Sequence, residues 1–363
     1  MKQQIALKSH HPVRKLEPED IQCLGECVRD LVTCLSYGTR TEASEADLFR
    51  EAIDAAVYIL TLRQGSRASL KEFYEQRGYG PPEYLPISME ELAQQIIIHS
   101  DEAPRSLQEM RSRVQFALAL DATCVEAYIL EGYLEERQEH YQKALASYER
   151  ALLCASEKLG PDAFKPATRK EHQIHFWYSA GTRPYMQARA AIAYVLWRKL
   201  GKAQEASEHF RALLELNPGD NQGNRYAIIC CLLEEGDDKE LSKALQRYFV
   251  YVDESGEKMD LRETCWWYTN ACWKFRRASS EQERSSRQAA SKALRTAFQN
   301  NKHVPYFLLH PEALADYGEP DYYGHGDERE AVWYASFALK SWQQTPGGLD
   351  WLEQTARRAG LAV

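Results

Sequence analysis

The chain offers few side chains arranged for covalent chemistry or metal binding. Cys23, Cys27 and Cys34 stand at i, i+4 and i+11, a spacing that gathers three thiols on one side of a helix. No histidine or fourth cysteine lies near enough to complete a tetrahedral zinc shell. The nine cysteines contain no CxxC pair and no spacing of a secreted disulfide scaffold, so buried thiols in a reducing compartment are expected. His172 and His175 are three residues apart and share a helix face without a third ligand. The sequence lacks a GxxxxGK[ST] loop, an HExxH pair, a GxSxG elbow and a GxGxxG turn after a strand, and with them the usual carriers of nucleotide, zinc-protease, hydrolase and dinucleotide chemistry. No metal and no cofactor is expected.

Two polar segments read instead as binding surface. TRPYMQARA holds Arg183, Tyr185 and Arg189, and NPGDNQGNRY holds Asn221, Gln222 and Arg225. Guanidinium forks grip carboxylates through charge-assisted hydrogen bonds, so these residues suit an acidic motif or a C-terminal carboxylate. A purely structural role stands beside that one: Asn221 as a helix cap and Arg225 paired with a glutamate of the neighbouring hairpin. An enzyme with a polar pocket near His175 or His303 is the alternative of a different class, and it requires a buried histidine with a carboxylate partner.

The elements that must position these groups are helical. Ile21, Leu24, Val28, Leu31 and Leu35 step by three and four behind Pro18, and a second stripe runs from Leu48 to Leu62, which together predict a helical hairpin. GYGPPEYLP, residues 78–86, then breaks the pattern before a capping box at Ser88 and Glu91, giving an N-terminal helical region over 1–87 and a second region over 88–363. No segment alternates with period two, so an all-α fold without sheet is expected.

Repeats refine the fold. A tetratricopeptide unit is a hairpin of 34 residues in which small residues let two helices approach closely. From Val125 to Leu152, Tyr128 takes the aromatic position of helix A, Gly132 the close-contact position, and Ala144, Tyr148 and Ala151 the positions of helix B. Glu131 and Glu135 stand where apolar residues belong, and no proline closes the unit. A second unit keeps Trp197, Ala206, Phe210 and Pro218, and a third helical pair turns at Gly236. These predict a right-handed helical-hairpin solenoid with a helical cap from about residue 301. Trp333, Trp342 and Trp351 recur every nine residues near the C-terminus, and with Pro346 between the last two they are expected in the core of that cap.

Between the first two units lies an insertion over 156–182 that mixes Lys158, Lys165, Arg169 and Lys170 with Phe164, Phe176, Trp177 and Tyr178. Long connections in compact arrays are commonly functional. The aromatic run serves either a binding surface or a plug tucked into the array.

Composition limits the partners. With 44% hydrophobic and 27% charged residues the chain can bury a core, and its net charge of −8 gives no general attraction for phosphate backbones or anionic lipid. No apolar run approaches the length of a membrane span, and residues 1–11 have no signal-peptide core. A soluble cytoplasmic protein that neither binds nucleic acid nor enters a membrane is expected.

Several ordered blocks carry a resemblance: TRPYMQARA, NPGDNQGNRY, NKHVPYFLL from Asn301, and GDEREAVWYASFALKSWQQTPGGLDWL from Gly326. Over roughly residues 114–352 the chain resembles tetratricopeptide proteins of the suppressor of tumorigenicity 7 family and their bacterial relatives. That resemblance implies a helical repeat fold without an assigned reaction and, in animal members, association with membranes through hydrophobic segments that have no counterpart here. The function expected is a scaffold or adaptor holding a protein or peptide partner on the concave face of the array.

Overall fold

The computed structural model describes residues 107–164, 176–252, 258–281 and 284–363 except 319 and 321, together with Glu90, Ala93, Gln94 and Ile97. The two helices expected over residues 17–65, the 78–86 turn, the three N-terminal cysteines, and His172 and His175 lie outside the described residues. The chain divides into two compact units after Cys154. The division expected after residue 87 also lies outside the described residues.

In the first unit α1 (Leu107–Leu120) packs on α2 (Val125–Glu136), which turns into α3 (Tyr141–Leu159). Gly132 is buried in this hairpin, and a Cβ added there would stand 2.5 Å from Cε1 of Tyr148. Ala144 and Ala151 are fully buried on the facing helix. Small residues thus sit where the helices approach. The two glutamates at apolar positions are used as ties. Glu131 accepts a 2.9 Å bond from Ser147 of α3, and Glu135 is held by Arg111 of α1 at 2.6 Å and by His140 at 2.9 Å. With no proline to stop it, α3 runs on to Leu159, four residues into the segment expected as an insertion, and ends at Gly160 in the left-handed region.

The second unit is also built of hairpins. α4 (Arg183–Tyr194) continues through a π turn (Val195–Lys199) and returns as α5 (Ala203–Leu216). α6 (Asn224–Glu235) and α7 (Asp238–Arg247) turn at Gly236, whose φ of 84° favours glycine. α8 (Thr264–Glu281) and α9 (Arg284–Asn300) form the longest hairpin, followed by α10 (Val304–Leu309), α11 (Pro311–Tyr317), α12 (Glu328–Gln344) and α13 (Gly348–Arg358). Residues 224, 225 and 227 to 233 are all buried, because α6 is packed by α5, α7, α8 and α12. A helix apolar on nearly every side is a central one.

One expectation is corrected. Val250–Val252 (β1) and Lys258–Asp260 (β2) form an antiparallel ribbon with Tyr251 opposite Met259. Three residues per strand are too few for alternation to register in the sequence, although Val250, Tyr251 and Val252 are all good strand formers. The remaining regular structure among the described residues is helical.

Candidate functional site

Of the two readings of Arg225, a contact on the binding face or a partner within the fold, its environment matches the second. The residue is 3% exposed, and each guanidinium nitrogen has a partner: Nε donates to Asp220 at 2.9 Å, Nη1 to the Tyr248 carbonyl at 3.1 Å and Nη2 to the Gly219 carbonyl at 2.7 Å. Asp220 also accepts the amides of Asn224 and Arg225, both at 2.8 Å, and so caps α6. Burial pushes the Asp220 carboxyl up from its ordinary range, while Arg225 and the two amides pull it back. The cap expected from Asn221 therefore comes from Asp220, and Asn221 is exposed. Arg225 pairs within its own turn and reaches the C-terminus of α7, which makes it a strut between helices.

The other segment keeps cations at the rim. Thr182 secures the start of α4 through the carbonyls of Phe176 and Ser179. Arg183 is exposed, donates to the Trp177 carbonyl at 2.9 Å and lies over that indole at 5.6 Å. Tyr185 is buried against Phe164 and Phe176, with ring centroids at 5.0 and 6.2 Å. The aromatic run of the insertion is thus divided: Phe176 is tucked in at 2% exposure and Tyr178 is 63% exposed. Arg189, half-buried one turn beyond Tyr185, donates through Nη1 to the Tyr185 hydroxyl, and its buried Nε has no partner. Gln222 reaches the Met186 carbonyl at 3.4 Å.

His209 of α5 lies within the electrostatic reach of Arg189, and nothing in the sequence marks it. Its Nδ1 is buried without a partner, and burial together with the Arg189 guanidinium pushes the imidazole below its ordinary value. Only the register of α4 on α5 brings the two together, and no local motif signals it.

The opposite end of the unit is closed by α12. Phe337 stacks on Trp197 and meets Tyr194 of α4, Trp333 meets Tyr226 of α6, and Lys340 pairs with Glu234 of α6. Glu330, 2% exposed, accepts the Thr264 amide of α8 at 3.1 Å, the Gly326 amide at 2.6 Å and Asn301 Nδ2 at 3.3 Å. The first helices of three successive hairpins, α4, α6 and α8, therefore all touch α12. His303 opens α10 with its amide bonded to Asn301 at 3.0 Å, and its ring has no carboxylate partner among the described residues. Trp333 faces α6, whereas Trp342, further along the same helix, stacks on Trp351 of α13 across the break at Pro346, with ring centroids 6.3 Å apart.

Among the described residues no three His, Cys, Asp or Glu side chains gather to hold a metal, and no helix is long and apolar enough to cross a membrane. Hairpins joined by buried polar ties, with one short ribbon, define a predominantly helical protein. The chain matches the family described as ST7 protein over residues 93–360 and belongs to it. It is 26% identical over 341 residues to a protein ST7 homolog of Caenorhabditis briggsae, covering 85% of this chain and 58% of that protein. Over 276 residues it is 26% identical to the suppressor of tumorigenicity 7 protein of Macaca fascicularis, covering 69% of this chain and 48% of the relative. For a Danio rerio suppressor of tumorigenicity 7 protein-like the identity is 26% over 261 residues, 66% of this chain and 40% of the relative. The chain thus spans about half the length of the curated relatives it matches. The blocks that carried the resemblance form the polar joints: NPGDNQGNRY supplies Asp220 and Arg225, NKHVPYFLL supplies Asn301, and the last block supplies Gly326 and Glu330.

Proposed function

We propose that this chain is a protein-binding scaffold of the tetratricopeptide type, working in the cytoplasm without an enzymatic reaction, whose surface around α4 takes an acidic or C-terminal carboxylate segment of a partner protein. The observation that carries it is the pair formed by Arg189 and His209, where two neighbouring helices each hold a buried nitrogen without a partner while Arg183 stands exposed at the head of α4. Unsatisfied buried polar atoms are costly, and a carboxylate entering there accepts from Arg189 Nε and, as it draws a proton onto the ring, from His209 Nδ1. Tyr185 and Gln222 fix the walls of the site. Further support for the repeat type comes from the contact of Gly132 with Tyr148 and from the equivalent burial of Ala206 and Phe210 in the second hairpin. Because α12 packs on α6 and α8 and meets α4 at Tyr194, its last residue, the partner is received at the opposite, exposed end of α4.

Titration of the histidine-labelled protein with a peptide ending in Asp-Glu and a free carboxylate tests this site by nuclear magnetic resonance. Binding should move the His209 imidazole resonance and raise its pKa, because an anion favours the protonated ring. A His209 resonance that does not respond while the peptide binds would place the partner surface elsewhere.

A further inference from the structure

A cleft between α7 and α8 is not used by any of the joints described above. Asp238, Lys239, Ser242 and Lys243 of α7 line one side, Trp273 and Arg277 of α8 the other, and the volume is about 390 Å³. Positions i, i+1, i+4 and i+5 of α7 recur along one face, and Trp273 and Arg277 are one turn apart on α8. The cleft falls in the size range of ligand sites.

Its chemistry is cationic around an indole. Lys239, Lys243 and Arg277 are exposed, and the Arg277 guanidinium lies 5.3 Å from the Trp273 ring centroid. The one carboxylate in the lining, Asp238, already accepts from Arg276, which also donates to the Leu233 carbonyl at 2.6 Å. Lys243 pairs with Glu240 at 2.6 Å, an exposed i,i+3 contact of the kind that yields readily to a better anion. Trp273 is 8% exposed, and its indole Nε1 is buried without a partner. A buried donor in that state is satisfied by an incoming carbonyl or carboxylate oxygen.

We infer that the α7/α8 cleft is a second partner-binding site that takes an acidic peptide segment, with carboxylates on Lys239, Lys243 and Arg277 and an apolar side chain against Trp273. The inference rests on the scaffold proposal and adds a surface to it. A nucleic-acid strand fits less well, since the net charge of −8 repels a long polyanion and the cleft holds one indole for stacking. A short acidic peptide concentrates its charge where the three cations stand.

The test uses the full chain and a short fluorescein-labelled peptide of alternating Glu and Leu, followed by fluorescence polarisation, beside the same peptide with Gln for Glu. The Glu peptide should bind, and the Gln peptide about tenfold or more weakly. Lys239→Glu with Lys243→Glu, or the milder pair Lys239→Gln with Lys243→Gln, should lower affinity by at least about tenfold at an unchanged melting temperature. Trp273→Phe, which deletes the indole donor, should weaken it further. Equal binding of the Glu and Gln peptides, unchanged affinity in folded lysine variants, or displacement of the peptide by oligothymidylate of the same charge would each overturn the inference. An Arg183→Ala/Arg189→Ala variant leaves the cleft intact, so peptide binding that remains in it and is lost when the Lys239 and Lys243 substitutions are added belongs to the cleft. Failure at the cleft therefore reads separately from failure at α4.

Discussion

Trp197 in the π turn after α4 and Phe337 on α12 stack with ring centroids 5.5 Å apart and planes inclined by 19°. That pair, with Arg198 over both rings at 5.5 and 5.0 Å, fastens α12 onto the first hairpin of the second unit. Phe337 is 8% exposed and Trp197 2%. Phe337→Ala should cost about 3–5 kcal/mol in urea unfolding, as truncations of buried aromatics do. A loss below about 1 kcal/mol would mean that α12 rests on the hairpins without being packed into them.

Gly132 leaves no room for a side chain. A Cβ there meets three atoms of the Tyr148 ring between 2.5 and 2.8 Å. Gly132→Leu should destabilise the first unit by about 1–3 kcal/mol through overpacking. Differential scanning calorimetry reads the shift, and a variant melting with the parent would show that α2 and α3 do not meet at this point.

Two of the three arginines of the binding expectation, Arg189 and Arg225, should separate. Removing Arg225 strands Asp220, whose side chain is fully buried, and Arg225→Ala should cost about 3–5 kcal/mol. Arg189→Ala removes a half-buried side chain already carrying an unpaired nitrogen and should leave stability within about 1 kcal/mol. Parallel chemical denaturation of both variants distinguishes strut from surface, and equal losses would contradict the assignment.

Stability should fall as pH drops below about 6.5 because of His209. Its imidazole is pushed down by burial and by Arg189, so the unfolded chain takes up the proton first and unfolding is favoured between the unfolded and the folded pKa. His209→Gln should flatten that part of the stability profile. A profile identical to the parent's would assign the acid sensitivity to other groups.

Much of this architecture was legible in the sequence because helices report locally. Gly236 announces the turn between α6 and α7, and Gly132, Ala144 and Tyr148 announce the α2–α3 contact at fixed spacing. What the spacing cannot carry is partner choice across the chain. Arg225 becomes a strut because a carbonyl at Tyr248 comes within 3.1 Å. Nothing around residue 225 announces that approach. His209 gains meaning only from Arg189 on the next helix. The tryptophan spacing of nine marks a C-terminal apolar cluster correctly, but the seating of α12 on α4, α6 and α8 depends on pairs such as Lys340 with Glu234 that are far apart in the chain.

The most direct test of a scaffold working through α4 is quantitative mass spectrometry of polypeptides retained from a native extract by the immobilised chain and by its Arg183→Ala/Arg189→Ala variant, at low and moderate salt. A defined set should be retained by the parent, diminish with salt, and be lost by at least about tenfold in the variant while its Tm stays with the parent's. Retention of the same polypeptides in the same amounts by a folded variant would contradict a cationic partner site at the head of α4.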